Sequence, residues 1–261
     1  GVPIEMKNMV KHTILPLYIN PFYKQEINSI TFLTTGVYES KLYNILNEDI
    51  ENNKNRFNLS FLPNHTGVKI RIEKINGDVN ENELVVFKNK ILQKINKYVY
   101  GFDDDTIDEI VANLLITKKL TISVAESCTG GYLSKKLTNF PSSTKFFKGG
   151  VIAYNNQIKV KVLNVSNNSI LNSGPVSEDV ALQMAKKIKD KFKTNIGLSI
   201  TGISGPGGGS DDKPVGMVCI SIISDETKIV KTFYLKALNR EMHRAVSVHT
   251  SLNMLRLLLM K

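Results

Sequence analysis

An apolar segment that ends in a turn of small and polar residues is the feature that most restricts the fold of this chain. Residues 120–125 are typical of a buried strand, and the sequence ESCTGG at 126–131 leads from it into a helix that reaches about residue 137. Further strands are predicted at 151–154, 196–201, 215–223 and 229–235, with helices between them and at 240–260. This alternation predicts an α/β fold, a three-layer α/β/α domain with a mixed sheet.

The first part of the chain has a different pattern. Strands predicted at 30–35 and 68–75 alternate with helices at 40–47 and 84–95, which is typical of a smaller α+β domain. We predict a linker from a preceding domain at 1–20, the α+β domain at 21–104 and the α/β domain at 105–261. Residues 98–105 are predicted as the connection, because Thr106 and Glu109 form a capping-box pattern that begins a new helix.

Charge and cysteine content restrict the partners. The net charge of +10 arises from 34 basic and 24 acidic residues, and residues 1–106 hold 13 of each, so the excess lies entirely in the second part. Much of it is a lysine run at 186–193, typical of a solvated helix face, and the remainder could attract a phosphorylated small molecule. The two cysteines form no metal-binding pattern, and no segment has the length or apolarity of a membrane span. We predict a cytoplasmic protein without a metal.

Ser127 is the candidate nucleophile. It follows a predicted strand and precedes a helix, where unpaired N–H groups can stabilise an oxyanion or bind an anionic group. The same position also suits a serine or threonine that merely caps the helix, so Ser127 and Thr129 have two interpretations of about equal weight.

A serine nucleophile needs a base, and the four histidines of the chain form no Ser-His-Asp pattern. Lys159 follows the strand that ends near Tyr154, so both residues can reach the edge of the sheet that carries Ser127. A lysine acts as a base when burial lowers its pKa, and a tyrosine can relay a proton. The alternative for Lys159 is a solvated surface lysine.

A second cluster follows the strand at 196–201, where residues 201–209 read TGISGPGGG. Glycines allow close approach of the backbone to a ligand, and the loop matches neither a dinucleotide nor an ATP fingerprint. It is either a nest of amides for a phosphate or carboxylate or a flexible connection between strands. Arg240 and Arg244, one helical turn apart, either hold a phosphate or face water.

Residues 107–261 resemble the C-terminal domain of the CinA family, the nicotinamide-nucleotide amidases. Residues 1–106 are similar, more weakly, to the middle domain of full-length CinA proteins, and GVPIEM resembles the end of their molybdopterin-binding-like first domain. The matching segments are AESCTGG at 125–131, GGVIAYNNQIK at 149–159, GPVSE at 174–178, TGISGPGGG at 201–209, KPVG at 213–216 and REMHR at 240–244. Pro175 and Ser204 stand where the family usually has alanine.

The resemblance implies hydrolysis of nicotinamide mononucleotide to nicotinic acid mononucleotide and ammonia, with no cofactor and no metal. It implies that Ser127 is the nucleophile, that Lys159 takes its proton, that Tyr154 assists, and that amides near Gly130 and Gly131 hold the oxyanion. The residues that it places near the substrate are Glu126, Thr129, Gly130, Gly131, Thr201, Gly202, Gly205 and Arg240.

Two other functions compete with the amidase. The middle domain of the family is likened to nucleic-acid-binding KH folds, but residues 1–106 contain no KH-type GxxG loop and carry no net charge. The second is a domain that binds the nucleotide or assembles without hydrolysis. The leucines of the last helix also predict a homo-oligomer, because they exceed what one core face needs: Leu252, Leu255, Leu257, Leu258 and Leu259.

Overall fold

The computed structural model describes residues 3–19, 29–75, 79–235 and 239–261, and its strands form two separate sheets. Each sheet has its own cluster of buried apolar side chains. A smaller antiparallel sheet is followed by a mixed five-stranded sheet that has helices on both faces. The predicted fold class is therefore confirmed.

The N-terminal helices stand apart from both cores. An α-helix, α1 (Pro3–Met9), continues into a π-helical segment (Val10–Ile19), and the side chains described at 3–18 are all exposed. The predicted boundary at residue 20 lies outside the described residues.

The first sheet has four antiparallel strands with helices against one face. Its elements are β1 (Ser29–Thr34), α2 (Glu39–Asn53), β2 (Phe57–Asn64), β3 (Gly67–Lys74), α3 (Glu81–Ile95) and β4 (Val99–Phe102). The strand order is β2-β3-β1-β4. Val68, Ile70 and Ile72 of β3 are buried and the residues between them are exposed, as the alternating pattern predicts.

Three features of this sheet differ from the sequence-based expectations. Residues 98–105 are not simply a linker, because β4 pairs with β1 and forms the edge of the sheet opposite β2. Helix α2 extends to Asn53, six residues beyond the predicted end. Strand β2, which the sequence pattern did not predict, pairs with β3 alone among the described strands. It therefore lies at an edge of the sheet, which tolerates Pro63, whose nitrogen cannot donate.

The second sheet has the order β6-β5-β7-β8-β9, with β5 parallel to both of its neighbours and the remaining pairs antiparallel. Its elements are α4 (Ile107–Thr117), β5 (Ile122–Glu126), α5 (Tyr132–Leu137), β6 (Phe147–Ile152), α6 (Asn156–Lys161), α7 (Asn167–Ser173), α8 (Glu178–Phe192), β7 (Ile196–Gly202), β8 (Met217–Ile223), β9 (Lys228–Tyr234) and α9 (Arg240–Leu259). Helix α7 was not predicted from the sequence.

Helix α8 covers one face of this sheet, and its start and its buried side agree with the sequence. The Ser177 hydroxyl accepts a hydrogen bond from the Val180 amide, which caps the helix. Val180, Met184 and Ile188 are fully buried, so the predicted apolar side is the one that packs on the sheet.

The leucines of α9 are used mostly within the chain. Leu252, Leu255 and Leu259 are buried in the second core, and Leu257 is the one of the five that is exposed. The argument that these leucines exceed one core face is therefore wrong, and homo-oligomerisation stays a prediction without that support. No helix in the described parts of the chain is both long and apolar enough to cross a membrane.

Arg256 joins the last helix to the first sheet. Its side chain is buried, Nη1 donates to the Val99 carbonyl at 2.9 Å, and both Nε and Nη2 donate to the Asn253 amide oxygen. Burial lowers the pKa of this guanidinium. A buried cation that satisfies carbonyl groups of another element resists replacement by an apolar side chain.

We expect Arg256→Met to lower the free energy of unfolding by about 2 kcal/mol, because the Val99 carbonyl loses a charged donor. Urea denaturation followed by circular dichroism measures this loss. Arg71→Met is the matched control, since Arg71 lies half exposed in a surface ion pair, and its change should stay within about 0.5 kcal/mol. Equal effects of the two substitutions would contradict a structural role for Arg256.

Candidate active site

A cavity of about 250 Å³ opens at the edge of the second sheet where parallel strands end. The register pairs Glu126 of β5 with Ile152 of β6 and with Ile200 of β7, so the residues that follow these positions meet at one edge. The residues that line the cavity are Ser127, Cys128, Tyr154, Asn156, Lys159, Pro175, Val176, Thr201, Gly202, Ile203, Ser204, Gly205, Gly207, Gly208 and Arg240.

Ser127 and Lys159 are in contact inside this cavity. Lys159 Nζ lies 3.2 Å from Ser127 Oγ and 3.4 Å from the Asn156 side-chain oxygen. Lys159 is only 2% exposed and Ser127 7% exposed, so the interpretation of Lys159 as a solvated surface lysine is wrong. The two residues are 32 positions apart in the sequence, and helix α6 places Lys159 beside the turn that carries Ser127.

The surroundings of Lys159 favour the free amine. Burial lowers the pKa of Lys159, and a contribution from the Cys128 thiol opposes that shift. No carboxylate in the described parts of the chain forms a salt bridge with Lys159. A buried lysine without a counter-ion is able to accept a proton from a neighbouring hydroxyl.

Cys128 is not a rival nucleophile. The thiol is buried, and burial raises its pKa to about 11. Because the thiolate is the reactive form, a thiol with this pKa is inert near neutral pH. Ser127 is therefore the better candidate of the two adjacent side chains.

Tyr154 and Arg240 lie together at the rim of the cavity. The Tyr154 side chain is 54% exposed, and Arg240 donates from Nη2 to its hydroxyl and from Nη1 to the Gly205 carbonyl, the latter at 2.8 Å. Among the described residues, no hydrogen bond joins the Tyr154 hydroxyl to Ser127 or Lys159. Tyr154 thus lines the cavity, but its hydroxyl accepts a hydrogen bond from Arg240.

Glu126 stabilises the turn from within the protein and does not line the cavity, contrary to the expectation that it contacts the substrate. Its side chain is fully buried, and its carboxylate accepts hydrogen bonds from the hydroxyls of Thr129 and Ser134 and from the amides of Gly131, Leu133 and Ser134. A carboxylate that satisfies the first amides of a helix replaces a capping serine. The capping interpretation of Ser127 and Thr129 is therefore wrong as well.

The amides of Gly130 and Gly131 are already engaged, so neither is free to hold an oxyanion. Gly130 N–H donates to the Ser127 carbonyl at 3.1 Å, and Gly131 N–H donates to Glu126 at 3.1 Å. Both residues have positive φ, 59° and 95°, in the left-handed region that glycine adopts without strain. Their function is to turn the chain sharply after Ser127.

We expect Glu126→Gln to destabilise the protein by about 2–3 kcal/mol. The side-chain NH2 group of glutamine cannot accept the hydrogen bonds that one carboxylate oxygen of Glu126 accepts from backbone amides. Thermal denaturation of the folded chain tests this. Glu241→Gln is the control, since Glu241 is exposed in the first turn of α9 and should change stability little. A stable Glu126→Gln protein would mean that the turn does not depend on this carboxylate.

The loop after β7 forms another wall of the cavity. The Thr201 hydroxyl donates its hydrogen to the Pro175 carbonyl at 2.9 Å, so only its oxygen lone pairs remain for a ligand. A side chain at Gly202 would meet the Met217 carbonyl at 2.8 Å, so this glycine is required by packing. Lys213, a residue to which the sequence assigned no role, donates to the carbonyls of Ser173 and Val176 and ties this loop to the opposite wall.

Three basic side chains and one acidic side chain, that of Glu241, line a second cavity of about 620 Å³, which shares Arg240 with the first. Lys135 and Arg244 line it together with the backbone of the turn at 129–131. Arg244 does not simply face water, because its Nε donates to the Cys128 carbonyl at 2.9 Å. In the described parts of the chain, no three His, Cys, Asp or Glu side chains group so that they could hold a metal ion.

Comparison with known proteins gives a family match over the part of the chain that forms the five-stranded sheet. Residues 104–259 match the model of the CinA C-terminal domain. The chain belongs to the CinA family. A CinA-like protein of Amoebophilus asiaticus is 38% identical over 229 residues, which are 87% of this chain and 55% of that protein. A CinA-like protein of Trichodesmium erythraeum is 39% identical over 262 residues, 98% of this chain and 61% of that protein.

The chain thus spans between half and two thirds of the length of these CinA relatives. Solved CinA-family structures resemble one part of it. The competence/damage inducible protein CihA from Agrobacterium tumefaciens has 33% identity and a TM-score of 0.57, covering 60% of this chain and 98% of that one. A CinA superfamily protein from Escherichia coli has 33% identity and a TM-score of 0.55, covering 59% and 92%.

Proposed function

We propose that this chain hydrolyses the carboxamide of nicotinamide mononucleotide to give nicotinic acid mononucleotide and ammonia. The observation that carries the proposal is the buried contact of 3.2 Å between Lys159 Nζ and Ser127 Oγ. A hydroxyl beside a buried lysine whose pKa is lowered is an arrangement that suits a serine nucleophile when no histidine bonds to the serine.

In the proposed reaction, Ser127 Oγ attacks the carboxamide carbon as its proton passes to Lys159 Nζ. The lysine then returns the proton to the departing nitrogen, so that ammonia leaves and an acyl-serine remains. A water molecule attacks the acyl carbon and gives one proton to the same amine, which returns it to Ser127 as the carboxylic acid leaves. The released acid then loses its remaining proton to solvent and becomes the carboxylate.

The developing oxyanion needs donors that are not already engaged. In the described part of the chain, the amides of Cys128 and Thr129 donate to no other residue, and they stand next to Ser127. We assign the oxyanion to these two amides in place of Gly130 and Gly131. An amide of the residue after the nucleophile has this role in other serine hydrolases.

The charge around the cavity suits a phosphorylated substrate. Arg240 lies at the rim, and Arg244 and Lys135 line the adjoining cavity. Cationic side chains beside a reaction site attract an anionic group and orient the substrate. We assign the nucleotide phosphate to this basic region and keep Tyr154 in the proposal as a rim residue bonded to Arg240.

The test is the release of ammonia and nicotinic acid mononucleotide from nicotinamide mononucleotide by the purified full chain. Production of both in equal amounts would support the proposal. A folded chain that binds the nucleotide but releases no ammonia would instead be a binding module, and a chain that does neither would overturn the proposal.

A further inference from the structure

A buried histidine and serine form a hydrogen-bonded pair that the proposed chemistry does not use. His243 is 2% exposed and Ser204 6% exposed, and His243 Nδ1 lies 2.9 Å from Ser204 Oγ. The other ring nitrogen, Nε2, lies 3.2 Å from the Gly216 carbonyl. Ser204 lines the cavity that contains Ser127, whereas His243 stands behind it.

The carbonyl partner fixes the direction of both hydrogen bonds. A carbonyl oxygen only accepts, so Nε2 of His243 carries the hydrogen and donates to Gly216. Burial lowers the pKa of His243, and although the hydrogen bond to Gly216 opposes this shift, the nearby Arg240 adds to it; the neutral ring is therefore favoured, and its Nδ1 has only a lone pair. Ser204 must therefore donate its hydroxyl hydrogen to His243.

This commitment leaves the Ser204 oxygen with lone pairs only. Its hydrogen points to His243, and the protonated Cys128 thiol can donate to one of its two lone pairs, so the other lone pair remains for a ligand. A hydroxyl fixed in this way accepts a hydrogen bond from a ligand and does not donate one. It therefore suits a ligand group that carries an N–H and disfavours a carboxylate, which has acceptors alone.

We propose that Ser204, held by His243, accepts a hydrogen bond from the carboxamide N–H of the substrate and so discriminates the amide from the carboxylate product. Ser204 is the specificity-determining residue and His243 a positioning residue that acts through it. The proposal rests on the amidase function. It predicts that the site weakens its hold on the ligand once the nitrogen has left.

The experiment measures KM for nicotinamide mononucleotide and the inhibition constant of nicotinic acid mononucleotide with the full chain. In Ser204→Ala, we expect the ratio of the inhibition constant to KM to fall about tenfold, because the acceptor that favours the amide is lost. A general loss of structure lowers turnover without changing this ratio.

Two substitutions of His243 separate positioning from folding. His243→Asn and His243→Leu both remove the donor to Gly216, but the Asn oxygen can take the position of Nδ1 and accept from Ser204. We expect the Asn variant to retain the wild-type ratio and the Leu variant to lose it, as Ser204→Ala does. This pair also decides the matter if Ser204→Ala does not fold.

The failure of this proposal and that of the amidase function look different. Hydrolysis by the unaltered chain with the same ratio in Ser204→Ala and both His243 variants would overturn the role of Ser204 alone. Absence of hydrolysis by the unaltered folded chain would overturn the amidase function, and the role of Ser204 with it.

Discussion

Ser127→Ala should reduce the hydrolysis of nicotinamide mononucleotide by at least about 10³-fold while the protein remains folded. The substitution removes the atom that forms the acyl-enzyme in the proposed reaction, and no adjacent side chain can replace it because the Cys128 thiol has a pKa of about 11. Within the residues that the structure describes, Ser127 Oγ has one hydrogen bond from a side chain, that of Lys159, so its removal costs little stability.

The measurement is single-turnover ammonia release, with nucleotide binding determined in parallel. Ser40→Ala is the matched control, since Ser40 is an exposed serine in α2, outside the second sheet. We expect Ser127→Ala to bind the nucleotide nearly as well as the unaltered chain. Hydrolysis that persists in Ser127→Ala would exclude an acyl-serine mechanism and would point to direct attack by water.

Lys159→Met should lower turnover by about 10²–10⁴-fold, the usual contribution of a general base. Methionine fills the buried volume without an amine, so the hydroxyl of Ser127 keeps its place but loses the group that takes its proton. Lys161→Met is the control, because Lys161 lies on the same helix and is exposed.

The pH dependence gives a second measure of Lys159. The protonated ammonium cannot accept a proton, so kcat/KM of the unaltered chain should fall as the pH drops through the pKa of Lys159. Because burial lowers this pKa, the fall should begin at a lower pH than an ordinary lysine would give. The residual kcat/KM of Lys159→Met should not show this fall at low pH. A fall that persists in the variant would assign the titration to another group.

Local patterns in the sequence determined most of the second sheet. The apolar runs before residues 127 and 202 form the strands β5 and β7, and Ser177 caps α8 as its position indicates. These predictions succeeded because strand burial and helix capping depend on residues close together in the chain. Strand β4 was assigned to a linker because its four residues gain their partner only from β1, more than sixty positions earlier.

The sequence indicated Ser127 and Lys159 as candidates, because each follows a strand that can end at the same edge of a sheet, but it left a structural alternative open for both. The packing of the folded chain shows which of these groups are already engaged. It buries Lys159, gives the Tyr154 hydroxyl to Arg240, and uses the carboxylate of Glu126 to hold the turn. Burial and hydrogen-bond partners depend on packed surfaces, which join residues far apart in the chain, and therefore no local sequence pattern predicts them.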